Sequence, residues 1–294
     1  MVVSARYSTV IVGCGYVGQR LLKRLPEGAA LGLSRRQPEL IEHALGIDLD
    51  HDPLSALLDV VDGAVMYYFV APSISSLQDD RSRRLIHALT NSRAKPASIV
   101  LISTTGVYGD CAGEWVNEER ALQPAAARSR RRVDAERVWA EYCKVEGVAL
   151  AILRVAGIYG PGKLPKKRLS SGQPLLLESQ SPYSNRVHVE DLIDTAQAVA
   201  GHDGVFNVAD GFPSTMTAYF HVLADVLGVE RLPEASREEL IASWSDGLRS
   251  YMSESRRIDN TRMRAFLGGA LRYSNLQAGL EDCLKQEIAG QLQQ

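Results

Sequence analysis

The sequence is poor in cysteine. Cys14, Cys111, Cys143 and Cys283 are the only four in 294 residues. None belongs to a C-x-x-C pair, and no His/Cys group has zinc-ligand spacing, so neither a metal site nor a disulfide framework is expected. That pattern suits a reducing, cytoplasmic compartment. A basic excess is also missing: 33 Lys+Arg face 35 Asp+Glu, for a formal net charge of −2. Composition therefore gives no electrostatic footprint for nucleic acid. Long apolar runs are absent. The longest, Gly63 to Pro72, falls far short of the roughly 20 residues of a membrane helix. No signal peptide is expected, because the first apolar stretch begins near Val10 and runs straight into glycine. Internal repeats and low-complexity tails are lacking too. What is present, 45% hydrophobic and 23% charged residues, is ordinary for a globular chain long enough to bury a sizeable core.

Apolar runs and helical spacings alternate along the first half. Strands are expected at Thr9–Val12, Ala29–Leu33, Gly46–Leu49, Ala64–Val70, Ser98–Ser103 and Val148–Arg154. Between them lie amphipathic stretches: Val17–Leu25, Asp52–Val61, Asp79–Asn91 and a long charged helix over Arg130–Glu146. This alternation predicts an α/β fold, a doubly wound parallel Rossmann sheet covered on both faces. After Gly160, six prolines and glycines up to Pro182 punctuate a loop-rich segment. Helices are then expected at 189–200, 216–227, 237–244, 259–267 and 276–291, with a strand at 205–208. The organisation reads as a dinucleotide-binding domain over 1–160 and a smaller, mainly helical C-terminal substrate-binding region over 161–294. Segments around 185–210 return to the first domain.

Gly13-Cys14-Gly15-Tyr16-Val17-Gly18 is a G-x-G-x-x-G motif placed between the first strand and the first helix, the context that gives it meaning. Gly13 permits the tight turn, Gly15 leaves the pyrophosphate unobstructed, and Gly18 lets the helix pack on the strand. The helix start at Tyr16 and Val17 presents backbone N–H groups to phosphate. An acid at the end of the second strand would bind a ribose 2′-hydroxyl. Here Leu33 is followed by Ser34, Arg35 and Arg36, which suit a 2′-phosphate. The cofactor expected is NADP, with NAD the alternative. The competing reading of the pair is two solvated surface arginines. Asp48 and Leu49 after the third strand, Val70, Ala71 and Pro72 after the fourth, and Ser103 after the fifth complete the expected cofactor contacts.

Ser103-Thr104-Thr105-Gly106-Val107-Tyr108-Gly109 and Leu153–Gly162 resemble segments of the NAD(P)-dependent epimerase/dehydratase family, the extended short-chain dehydrogenases/reductases. So do Asn185–Leu192, Phe206–Asp210 and Arg257–Asn260 with Leu267-Gly268. The resemblance implies that Thr104 donates a hydrogen bond to the reacting oxygen. It also implies a Tyr-x-x-x-Lys pair on the next helix. Counting back from Ala135-Glu136 puts Arg128 and Arg132 at those places, which makes the chain an atypical member lacking the dyad. A guanidinium stays charged and passes no proton. Arg132 is left to hold the nicotinamide ribose, and Arg128 to bind an anion or stabilise an oxyanion. Other tyrosines near the crevice, Tyr108 and Tyr159, read as packing residues, and Tyr142 lies too far along the helix. His188 reads as structural. Ser184 stands where many nucleotide-sugar enzymes carry an arginine, so Arg186 and the basic loop Lys163, Lys166, Lys167 and Arg168 become the candidates for phosphate.

Two function classes follow. One is an oxidoreductase or epimerase/dehydratase acting on a small molecule, anionic or a sugar nucleotide. The other is an NADP(H)-binding sensor without turnover. A nucleic-acid role for the arginine cluster ranks last. The chain is expected to be a monomer or a homodimer, without nucleic-acid or membrane partners.

Overall fold

In a computed structural model, residues 7–36, 39, 41 and 43–291 are described. Residues 1–6, which bear on the expectation of no signal peptide, lie outside them. Seven parallel strands form one sheet. In chain order they are Thr9–Val12, Ala30–Ser34, Ala44–Gly46, Val65–Tyr68, Ser98–Thr104, Ala149–Val155 and Gly204–Val208. Their spatial order is third, second, first, fourth, fifth, sixth, seventh. The first strand sits between the second, with Thr9 opposite Ala30, and the fourth, with Thr9 opposite Val65. The order reverses between the first and fourth strands, the switch point at which a doubly wound sheet opens a ligand crevice.

The strands form where they do because they are apolar on both sides. All four residues of Thr9–Val12 are buried, as a strand covered on both faces requires. Alternation along the strand sends Val10 and Val12 to one face, with Met66, Tyr68, Ile99 and Leu101. There they meet Leu57, Leu85, Leu89 and Trp139 from the helices Ser55–Val61, Asp80–Ser92 and Ala127–Glu146. Each such aliphatic side chain contributes roughly 1.5–3 kcal/mol on burial. Ile11 points to the opposite face, against the helix Tyr16–Leu22, where a Cβ on Gly18 would lie 3.0 Å from its Cγ2.

Boundaries differ in two informative places. The third strand stops at Gly46 instead of running to Leu49. Asp48 begins a turn: its N–H donates to Asp52 Oδ2, and its carboxylate accepts from Asp50 N–H. Short acidic side chains that bond local backbone end a ladder in this way. The same turn delays the next helix from Asp52 to Ser55. The long charged helix starts at Ala127, three residues early, and so includes Arg128 and Ser129.

The chain divides into two compact units. The first comprises Met1–Val107, Pro124–Arg154 and Ile193–Phe206. The second comprises Tyr108–Gln123, Val155–Leu192 and Asn207–Gln294. Within the second, Arg186–His188 pairs with Gly157–Tyr159, Glu234–Ala235 with Leu175–Leu176, and Arg257–Ile258 with Trp115–Val116. A separate core there gathers Tyr159, Leu175, Tyr219, Leu223, Leu280 and Cys283.

Candidate functional site

A cleft of about 390 Å³ opens in the first unit at the switch point. Of the residues expected to bind a cofactor, Gly13, Gly15, Ser34, Arg35, Arg36, Asp48, Leu49, Val70 and Ala71 line it together. Tyr16, Val17 and Gly18, in the helix start beside it, and Pro72, Ser103, Thr104, Arg128 and Arg132 are not among its walls.

The glycines play different parts. Gly13 adopts φ +93°, and its N–H and that of Cys14 both donate to the Leu33 carbonyl, at 3.0 and 2.7 Å. A Cβ on Gly13 would lie 2.8 Å from Val70 N and 2.9 Å from Phe69 C. Gly13 is therefore demanded by the fold. Gly15 is not: a Cβ there would meet no atom of the described residues within 4 Å. The space beside it belongs to the cleft. Cys14 is buried and packs under Gly32, and burial pushes its thiol up to about 11. It is a packing residue.

At the far end, Ser34 Oγ donates to the Arg36 carbonyl at 2.8 Å, shaping the turn that carries both arginines. Arg35 and Arg36 are exposed. The loop after the third strand is held by two arginines that sequence reasoning missed. Arg84 donates to the carbonyls of Leu49 and Asp52, both at 2.6 Å. Arg81 makes a two-pronged pair with Asp50, at 2.7 and 2.5 Å, and donates to the Ala71 carbonyl at 2.7 Å. Their i, i+3 spacing on one helix face was the available signal.

Beyond the cleft, Arg132 bridges two strand ends: its Nη1 donates to Val70 O at 3.0 Å and Ile102 O at 2.8 Å. Burial lowers its pKa, and the neighbouring charge of Asp79 opposes that shift. Arg128 is exposed on the first turn of the same helix. The adjacent Ser129 is buried, and its Oγ lies 2.9 Å from where a Cβ on Gly106 would be. The helix start thus packs on the loop that carries Thr104. Thr104 is half-buried, and its Oγ1 accepts from Gly106 N–H at 3.2 Å, leaving its own proton to donate. Ser103 is turned elsewhere. Its buried hydroxyl donates to Glu136, which also binds Arg154 at 2.9 Å in an ion pair whose side chains are each 7% exposed.

The remaining candidates lie in the second unit. His188 is wholly buried between the rings of Tyr159 and Tyr273, with Cys283 Sγ 3.4 Å from its Nε2. Its Nδ1 accepts from Glu190 N–H at 3.2 Å. Tyr108 is buried and donates to Asn207 Oδ1 at 2.7 Å. Arg186 is buried over the Tyr219 ring, 4.3 Å from its centroid. Beside it, burial pushes the Asp210 carboxyl up to about 7, with the Arg186 charge opposing. In the basic loop, Lys166 pairs with Glu287, and Arg168 donates to the Gln173 and Pro174 carbonyls. No group of three or more His, Cys, Asp or Glu able to hold a metal occurs among the described residues, and no described helix is long and apolar enough to cross a membrane.

A model of the NAD dependent epimerase/dehydratase family matches residues 9–209. Protein YeeZ of Escherichia coli strain K12 is 27% identical over 205 residues, covering 67% of this chain and 68% of YeeZ. Among solved structures, a functionally unknown conserved protein from Silicibacter pomeroyi is 29% identical, with a TM-score of 0.81 over 95% of this chain and 98% of that one. The UDP-glucuronic acid 4-epimerase from Bacillus cereus, solved with NAD, has a TM-score of 0.72 at 18% identity, covering 95% of this chain and 99% of that one. At that identity it shares the fold.

Proposed function

The chain belongs to the NAD-dependent epimerase/dehydratase family, and from that premise we propose that it is an NADP(H)-dependent enzyme of oxidoreductase or epimerase/dehydratase type. Its substrate is a small molecule with a carbonyl or hydroxyl at the reacting carbon and an anionic group, a nucleotide sugar being one such class. The observation that carries the reading is the cleft itself: an unobstructed space at Gly15, and at the far end two exposed arginines where an acid would be needed for a ribose 2′-hydroxyl.

The cleft fits a dinucleotide. Gly13, Gly15 and the helix start at Tyr16, Val17 and Gly18 cradle the pyrophosphate. Ser34, Arg35 and Arg36 take the 2′-phosphate. Asp48 and Leu49 flank the adenine, and Val70, Ala71 and Pro72 continue the trough. A nicotinamide bound there supplies hydride transfer. Thr104 donates its free proton to the substrate oxygen. Arg132, fixed by two carbonyls, presents a stationary cation toward the nicotinamide ribose. Arg128 binds the substrate anion. Four buried free cysteines suit a cytoplasmic setting.

Titration with NADP⁺, NADPH, NAD⁺ and NADH tests the cofactor assignment. At least tenfold tighter binding of the phosphate-bearing forms is expected, and equal affinities refute it. Turnover of NADPH against a panel of carbonyl compounds and nucleotide sugars then separates enzyme from sensor. Arginine at the two positions counted as the dyad is what favours the sensor, and binding without any oxidation across the panel would establish it.

A further inference from the structure

The adenosine end of the cleft holds a charge arrangement that the assignments above leave unused. Arg35 and Arg81 both line the cleft, and both reach the same carboxylate oxygen, Asp50 Oδ2. Their grips differ. Arg81 holds Asp50 with two short bonds, at 2.7 and 2.5 Å, and its side chain is 14% exposed. Arg35 stands 3.4 Å from Oδ2 on a side chain that is 44% exposed. Arg81 is also tied to the Ala71 carbonyl, which lines the same cleft. Arg81 is therefore a fixed strut, and Arg35 is only parked. The third arginine, Arg36, makes no side-chain hydrogen bond or ion pair among the described residues.

We propose that Asp50 is a specificity-determining residue that tunes the preference for a 2′-phosphorylated cofactor by dividing its charge between Arg81 and Arg35. The inference rests on the assignment of Arg35 and Arg36 to the 2′-phosphate. An arriving phosphate dianion must draw Arg35 away from Asp50 and must sit near the Asp50 charge. Arg81 makes both possible, because it already neutralises most of that charge and keeps the carboxylate from following Arg35. Arg81 therefore acts through Asp50, as a positioning residue. No part of the division requires Asp50 or Arg81 to touch the cofactor.

Two substitutions break the same ion pair and move selectivity in opposite directions. Asp50→Asn frees Arg35 and removes the repulsion, so the ratio of the NADH to the NADPH dissociation constant rises. Arg81→Met leaves Asp50 unshared, so Arg35 is held harder and the ratio falls. Each change should be about threefold to tenfold, the effect of one partly exposed charge a few ångströms away. Loss of the Ala71 tie weakens both cofactors alike and cancels in the ratio. Both dissociation constants would be measured on the full chain by quenching of intrinsic fluorescence, at low and at moderate salt. Opposite shifts support the proposal. Ratios that stay unchanged, or move the same way in both variants, overturn it while leaving the phosphate assignment intact. A wild-type protein without phosphate preference overturns that assignment, and the proposal with it.

Discussion

Gly13 and Gly15 are two residues apart in one motif, yet alanine should injure them in opposite ways. At Gly13 the new Cβ would stand 2.8 Å from Val70 N and 2.9 Å from Phe69 C, and the backbone is at φ +93°. The positive φ alone costs of order 1 kcal/mol, and moving the end of the fourth strand adds more, so about 2–4 kcal/mol of stability should be lost. At Gly15 the backbone is at φ −91°, and the Cβ meets nothing within 4 Å among the described residues. Alanine there gains about 0.4–1 kcal/mol through the unfolded chain. It loses a comparable amount as a poorer N-cap than glycine. Net stability should change by less than about 1 kcal/mol. On the proposed assignment the methyl group would instead occupy the place of closest backbone approach to the pyrophosphate, and NADPH should bind at least about tenfold more weakly, or roughly 1.4 kcal/mol. Urea denaturation and fluorescence titration on both variants give the two readouts. A Gly15→Ala protein that binds NADPH within twofold of wild type would falsify the assignment of that space to cofactor. Gly15→Ala unfolding as readily as Gly13→Ala would equally undo the division of roles.

Three further outcomes are expected. Glu136→Leu and Arg154→Met should each cost about 3–5 kcal/mol, because each strands a buried charge, whereas the double variant should lose at least about 2 kcal/mol less than their sum; additivity in the denaturation cycle would mean the pair is uncoupled. Asp210→Asn should alter the pH dependence of stability. Because its folded pKa lies near 7 against an ordinary 3.8, the folded chain retains a proton the unfolded chain sheds, so stability falls as pH rises from about 4 to 7. The asparagine variant should be more stable than wild type at pH 8, by at most about 4 kcal/mol, with the difference vanishing near pH 4; a gap independent of pH refutes the buried carboxyl as its source. Thr104→Ala should lower turnover about 10²–10³-fold, the effect of one hydrogen-bond donor to a developing oxyanion, with little change in NADPH affinity; unaltered turnover removes Thr104 from the chemistry.

The sheet was legible because its strands are buried on both faces. A run such as Val10-Ile11-Val12 ending in glycine has few alternatives, and the helices between the strands carry their own apolar period. The glycine loop was legible because its context is local. The short strands of the second unit were not. Arg257–Ile258 pairs with Trp115–Val116, two residues against two across more than 140 positions, and a dipeptide has no periodicity to read. The turn at Asp48 was missed because its side-chain bonds compete with strand propensity, and only the fold decides that contest. Asp50, Arg81 and Arg84 were harder to read for a related reason, the i, i+3 spacing of the two arginines being a faint signal. Each is an ordinary surface charge in the sequence, and their meeting requires the helix Asp80–Ser92 to lie across the loop ends. Alternation divides the end of the fifth strand in a way residue type alone does not show: the Ser103 hydroxyl turns in to Glu136, while Thr104 is half-buried.

Arg132 constrains the chemistry open to this site more tightly than its charge alone suggests. One terminal nitrogen already serves the carbonyls of Val70 and Ile102, so the group is anchored and its cation is stationary. It ties the segment after the fourth strand, at Val70, to the fifth strand, at Ile102. An anchored guanidinium stabilises negative charge but neither gives nor takes a proton at neutral pH. If substrate oxygen is to gain a proton in the proposed reaction, the donor is therefore a hydroxyl or solvent. Among the residues assigned to the reacting end, only Thr104 carries a hydroxyl, one that meets no acceptor among the described residues, and its oxygen is already polarised by Gly106 N–H. A threonine returns the proton it gives only by taking another from water. The reaction would then require solvent access at Thr104, and turnover should show a solvent deuterium isotope effect; its absence would refute a proton drawn from Thr104 or water.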